Sequence, residues 1–157
     1  MPKSRFEASG ETMKITGFLL LVLTLSGLTP ALAAGGGGGS ESSYAPFQDL
    51  IADENYQQAV IDLQEALLTA PDDPDLINLY AFSQRKLNKL DIALENYQKA
   101  LRIDPEHRGA NEYLGELYLL LDQPDKAEER LEVLDGECFF GCEEYDELKQ
   151  ALEEYRQ

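Results

Sequence analysis

The fold is decided by a stretch that recurs along the chain, ALENYQKALRIDP at residues 93–105. A counterpart lies 34 residues earlier, AVIDLQEALLTAP at residues 59–71. The same step of 34 connects further sets of residues: Ala59, Ala93 and Ala127; Leu63, Tyr97 and Leu131; Ala66, Ala100 and Leu134; Ala81 and Gly115. A fixed period of this length indicates one supersecondary unit copied along the chain, each copy burying its face against the next.

Each unit is predicted to contain two helices. In the second copy, Asp73 is a good N-cap and Pro74 suits the first helical turn. The chain turns at Asn88, and a second helix runs from Leu90 until Pro105 ends it. Small residues are expected where the two helices of a unit cross: Ala81 or Gly115 on the first helix, and Ala59, Ala93 or Ala127 on the second.

These residues resemble the tetratricopeptide repeat, whose pattern is W-x2-L-G-x2-Y, then A-x3-F, then P. The third copy has Asn111-x2-Leu114-Gly115-x2-Tyr118, followed by Ala127-x3-Leu131. The resemblance covers residues 46–135, although the chain has no Trp. It implies an all-α fold, a short right-handed α-solenoid of three helix-turn-helix units with a C-terminal capping helix.

The chain is predicted to divide into an export signal, a linker and a repeat domain. Lys14 precedes a short apolar run that ends in Ala31-Leu32-Ala33, so residues 1–33 match a signal peptide with Met13 as the biological start. Residues 34–43 form a flexible Gly/Ser linker. The remainder, residues 44–157, is the repeat domain. It is divided into repeats at residues 44–71, 72–105 and 106–136 and a capping helix at residues 142–156. The protein is therefore expected to be exported, to the periplasm or alternatively by secretion, with no stable membrane insertion after cleavage.

The charge of the chain restricts its partners. With 30 acidic and 13 basic residues, the formal net charge is −17. Nucleic acids and anionic membrane surfaces are poor partners, because binding them needs clustered Lys and Arg. Divalent cations or basic protein segments fit better, and the alternative is that the charge only keeps the protein in solution.

Two features were considered as sites of chemistry. Cys138 and Cys142 are the only cysteines, and in an exported chain a structural disulfide is the favoured interpretation. A soft-metal site and a redox pair stay open as alternatives. His107 is the only histidine and is predicted to be a solvated turn residue. No catalytic triad, phosphate-binding loop or metal-spaced His pair is present, so the sequence predicts no enzyme activity, no cofactor and no metal.

The resemblance also implies a binding surface, because the first helices of such repeats line a concave face that holds a segment of another protein. The positions expected on this face are Asn78, Phe82, Arg85, Lys86, Glu112, Glu116, Leu119 and Leu120, with Asp146, Gln150 and Glu153 on the capping helix. Phe82 is either an exposed contact residue or packs against the first repeat. Members that clamp a carboxylate use Lys and Asn on adjacent first helices, whereas the third copy here has Glu112 and Glu116, which argues against that activity in this chain. A basic region at Arg85 and Lys86 beside an acidic one suggests a partner segment with both charges.

The function predicted from the sequence is a non-enzymatic scaffold or docking module that binds another protein through this face. The alternative is a thiol-dependent metal or redox accessory factor that uses Cys138 and Cys142. Self-association through the open ends of a short solenoid is a third interpretation.

Overall fold

The computed structural model describes residues 43–138 and 140–157. The predicted signal peptide, its cleavage site, the Met13 start and the linker up to residue 42 lie outside the described residues. The described chain forms seven α-helices and contains no strand, and their bounds are α1 Ala45–Ala52, α2 Tyr56–Thr69, α3 Pro74–Lys86, α4 Leu90–Ile103, α5 Arg108–Leu120, α6 Pro124–Glu137 and α7 Glu143–Tyr155. The predicted all-α class is therefore confirmed. Within these described ranges, no helix combines the length and apolar character that crossing a membrane requires.

Two helices begin at side-chain caps that are also 34 residues apart. The Asp73 carboxylate accepts a hydrogen bond from the backbone N–H of Leu76 at 3.1 Å, as its predicted role as N-cap requires. At the start of α5, His107 Nδ1 accepts a bond from the Ala110 N–H at 3.1 Å. The prediction of a solvated His107 is wrong, because its other ring nitrogen also contacts Asp75 at 3.2 Å and its side chain is only 13% exposed.

The turn between the two helices of each repeat has the same backbone conformation in all three copies. Glu54, Asn88 and Asp122 have φ values of 56°, 59° and 57°. This left-handed conformation is unfavourable for residues other than Gly and is least costly for Asn and Asp. The turn position thus repeats with the period of the sequence, and Glu54 is the residue least suited to it.

We expect Glu54→Gly to raise the free energy of unfolding by about 0.5–1 kcal/mol, because glycine adopts a positive φ without steric cost. Urea denaturation followed by circular dichroism measures the change. The exposed Glu65, inside α2, is the matched control, since glycine there should destabilise the helix by about 1 kcal/mol. Equal losses in the free energy of unfolding for both variants would contradict the positive φ at Glu54.

The core forms where small residues let the helices approach. Ala59, Ala93 and Ala127 are fully buried, and so are Leu63 and Tyr97. Each of these alanines lies in the second helix of a repeat, as the 34-residue spacing predicts. The largest core cluster joins the second and third repeats to α7 through Leu148 and Leu152, so α7 covers the end of the core as a cap.

Gly115 makes a contact with the capping helix that the sequence did not predict. A Cβ atom built on Gly115 would lie 2.5 Å and 2.6 Å from the two methyl carbons of Leu148, in α7. The absence of a side chain at this position therefore allows α7 to approach α5. From the sequence, Gly115 was expected only at the crossing of the two helices within the third repeat. Its contact with the capping helix was not expected.

Candidate functional site

The first helices of successive repeats lie side by side and form a common surface together with α7. Contacts connect α1 with α3, α3 with α5, and α5 with α7. One cavity of about 180 Å³ on this surface, here called the acceptor pocket, receives residues from all four helices or their caps. Its lining residues are Tyr44, Gln48, Asp75, Asn78, Leu79, Gly109, Glu112, Tyr113 and Glu144.

Two residues that line the acceptor pocket each have a buried oxygen atom without a hydrogen-bond partner. Asn78 is 6% exposed and Glu112 is 3% exposed. Within the described part of the chain, neither Asn78 Oδ1 nor Glu112 Oε1 has a hydrogen-bond partner. Both residues were predicted to face the concave surface, and the structure brings them together in one cavity, buried rather than exposed. Buried polar groups are normally paired, so these two acceptors need an explanation.

The acceptor pocket strongly disfavours negative charge on Glu112. Burial raises the pKa of the Glu112 carboxyl to about 9, and the nearby carboxylates of Glu147, Glu116 and Glu144 contribute in the same direction. Burial, followed by the charge of Glu112, raises the pKa of Tyr113 to about 12. At neutral pH, Glu112 therefore carries a proton.

A second cavity, here called the Arg85 pocket, has a volume of about 350 Å³. It is lined by Arg85, Glu116, Leu119, Leu120, Ala151, Glu154 and Tyr155. Arg85 Nη1 donates to Glu116 Oε2 at 2.5 Å, and only 9% of the Arg85 side chain is exposed. The Arg85 guanidinium also lies 5.4 Å and 5.5 Å from the ring centroids of Phe82 and Tyr113. The predicted basic region is thus mostly neutralised within the protein, and Lys86 is its exposed member.

Phe82 packs against helices on both sides. Its ring centroid is 4.8 Å from that of Tyr113 in α5 and 6.4 Å from that of Tyr56 in α2. The residue is half-buried, so the contact with the first repeat that was considered as one interpretation is present. Exposed Lys86 lies beside it, with Nζ 5.1 Å from the Phe82 ring centroid.

Sequence reasoning missed seven of the nine residues of the acceptor pocket: Tyr44, Gln48, Asp75, Leu79, Gly109, Tyr113 and Glu144. Helical spacing could have identified Asp75, because it lies three residues before Asn78 on the same face of α3. No local signal identifies Glu144, since its place depends on the rotation of α7. The residues expected on α7 line neither pocket: Asp146, Gln150 and Glu153 are absent from both linings, and Glu153 lines a cavity of about 440 Å³ between α6 and α7.

The two cysteines form a disulfide in the segment that joins α6 to α7. Cys138 and Cys142 are bonded, with their Cα atoms 5.4 Å apart. This is the pairing that the sequence analysis favours over a metal or redox site. Over residues 43–138 and 140–157, no group of three or more His, Cys, Asp or Glu side chains is arranged to hold a metal ion.

Comparison with protein families gives a match to the tetratricopeptide repeat at residues 85–152. The chain contains tetratricopeptide repeats. The match begins near the end of α3 and extends into α7, so the capping helix is included in the repeat pattern. No curated protein sequence matches this chain significantly.

Solved structures of other tetratricopeptide-repeat proteins have the same fold. The repeat domain of Sgt2 from Aspergillus fumigatus is similar with a TM-score of 0.62 and 22% identity, over 71% of this chain and 73% of that one. The type III secretion translocator chaperone SycD from Yersinia enterocolitica has a TM-score of 0.63 and 15% identity, over 72% and 88%. The first repeat domain of Spaghetti (RPAP3), solved with the HSP90 peptide SRMEEVD, has a TM-score of 0.61 and 16% identity, over 71% and 89%. At these identities, the likeness concerns the fold.

Proposed function

We propose that this repeat protein is a non-enzymatic docking module that binds a segment of another protein on the surface formed by α1, α3, α5 and α7. The observation that carries the proposal is the pair of cavities on this surface, with buried acceptors in one and exposed Leu120 in the other. Preformed concave sites of this kind suit an extended peptide or a helix. Similar folds that bind a peptide, such as the Spaghetti domain with its HSP90 peptide, are consistent with it.

We also propose that the protein works outside the cytoplasm, in the periplasm of the producing cell. The signal-like pattern at residues 1–33 supports this location. The Cys138–Cys142 disulfide supports it as well, because disulfides persist in oxidising compartments. Cell fractionation with sequencing of the mature N-terminus tests the proposal, and a chain found intact in the cytosol would contradict it.

The docking function is tested with a matched pair of surface leucines. Leu120 lines the Arg85 pocket and is 63% exposed, whereas Leu68 lies on α2 and is 83% exposed. Both can change to Glu with little effect on folding, because neither is buried. Peptides selected from a random library on the full chain should lose about 10-fold or more in affinity for Leu120→Glu, since a buried apolar contact is worth about 1.5–3 kcal/mol.

Leu68→Glu should leave the affinity of the same peptides unchanged. Equal binding to both variants would place the site elsewhere and contradict docking on this surface. Failure of the full chain to select any peptide would have the same meaning.

A further inference from the structure

We propose that the acceptor pocket binds the ammonium group of a lysine side chain, carried by an extended segment of the partner protein. The inference rests on the proposed docking function and adds the chemistry of the group that is recognised. It starts from geometry: two residues that line one cavity each have an unpaired buried oxygen, and the wall of this cavity also carries carboxylates and tyrosines.

The unpaired atoms define the kind of group that fits. Asn78 Oδ1 and Glu112 Oε1 are acceptors, and neither has a hydrogen-bond partner among the described residues. A ligand that completes the pocket must therefore donate hydrogen bonds. A lysine ammonium group has three donors and no acceptor, so its hydrogen-bonding capacity matches unpaired acceptors.

The charges around the pocket favour a cation. Asp75 and Glu144 line the pocket beside Glu112. Their basic neighbours sit at its margin: His107 Nε2 is 3.2 Å from Asp75, and Arg108 Nε is 4.0 Å from Glu144. Glu147 and Glu116 add negative charge close to Glu112. The excess of carboxylates would repel an anionic ligand, whereas an ammonium group would compensate their negative charge.

The size and the walls of the pocket suit the end of one side chain. A volume of about 180 Å³ corresponds to about six water molecules. Tyr44 and Tyr113 form part of its wall, and aromatic rings attract an ammonium group that lies over their faces. Lysine fits better than arginine, because the five fixed donors of a guanidinium exceed the two unpaired acceptors.

The protonation of Glu112 gives the binding event a second signature. In the empty pocket the raised pKa keeps Glu112 protonated at pH 7. A bound ammonium group favours the ionised carboxylate, so lysine binding should release a proton. Calorimetry in two buffers with different ionisation enthalpies measures this release.

The test uses the full chain and a positional library of hexapeptides that are acetylated at the N-terminus and amidated at the C-terminus. One position should select lysine, and replacing that lysine by norleucine or acetyl-lysine should weaken binding about 10-fold or more. Glu112→Gln and Asn78→Leu should each lose most of this preference. Glu95→Gln is the control, because it makes the same replacement at an exposed position on α4.

The outcomes separate this inference from the docking function. Peptide binding that is lost in Leu120→Glu but shows no lysine preference would overturn the lysine pocket and leave docking intact. Binding only of peptides with a free N-terminus would assign the pocket to a terminal ammonium group and overturn the lysine assignment. Failure to bind any peptide would overturn both proposals.

Discussion

Gly115→Ala is expected to lower the free energy of unfolding by about 1–3 kcal/mol, although alanine is the better helix former by about 1 kcal/mol. The loss comes from Leu148, whose two methyl carbons lie 2.5 Å and 2.6 Å from the position of the new Cβ. Leu148 is fully buried, so it cannot turn away without disturbing the core between α5 and α7. Urea denaturation of the full chain measures the change.

Gly136→Ala is the matched control for this prediction. Gly136 lies in α6, and within the described residues its added Cβ would meet nothing within 4 Å. This variant should gain up to about 1 kcal/mol from helix propensity alone. The double variant Gly115→Ala/Leu148→Ala should cost less than the sum of the two single changes, because the clash is removed. A stabilising Gly115→Ala would show that α7 does not pack closely on α5.

Glu112→Gln is expected to stabilise the protein at pH 8 by about 1–3 kcal/mol, an amount reduced by solvent screening in the open groove. The pKa of Glu112 rises from 4.5 in the unfolded chain to about 9 in the fold. Between these values the folded state holds a proton that the unfolded state has released. Wild-type stability therefore falls as the pH rises from about 4.5 to 9, and glutamine, which does not ionise, removes this dependence.

The pH profile distinguishes this effect from a general change in charge. Wild type and Glu112→Gln should have nearly equal stability at pH 4 and diverge as the pH rises. Tyr113, Glu116, Glu144 and Glu147 also lie close to Glu112, so the comparison is made against Glu95→Gln, which keeps them all. Parallel profiles for wild type and Glu112→Gln would contradict the protonated state of this carboxyl.

The two predictions concern residues of the same surface, which α1, α3, α5 and α7 form. Gly115 lets α7 approach α5, and α7 contributes Glu144 to the acceptor pocket. The buried Glu112 lowers stability at neutral pH and lines the same pocket. A costly buried group at a concave surface is typical of a binding site, because the ligand supplies the missing partner.

The repeat pattern predicted the helices well because the information is local. Each signal determines the conformation of residues within one or two helical turns. These signals are the cap at Asp73, the turn at Asn88 and the stop at Pro105. The buried alanines at a step of 34 indicated which face of each second helix packs inward. The role of His107 was missed, because its second contact comes from Asp75 in the preceding repeat.

The candidate surface was predicted only in outline. Asn78 and Glu112 were predicted to face a partner, and they line the acceptor pocket, but their burial and their unpaired oxygens depend on how α1, α3, α5 and α7 close around them. Arg85 was expected to offer a positive charge to a partner. The structure pairs it with Glu116, which lies one repeat away, so the charge is already compensated.

The sequence by itself determined the all-α class, the positions of the turns and the faces that pack, since a period of 34 residues and local capping specify one unit and its copies. The tertiary structure alone decided how α7 is rotated, which carboxylates surround Glu112 and which cation remains exposed. The physical reason is that electrostatic and close-packing contacts between repeats depend on distances of a few ångströms. Those distances are set by the packing of whole helices, not by any short pattern of residues.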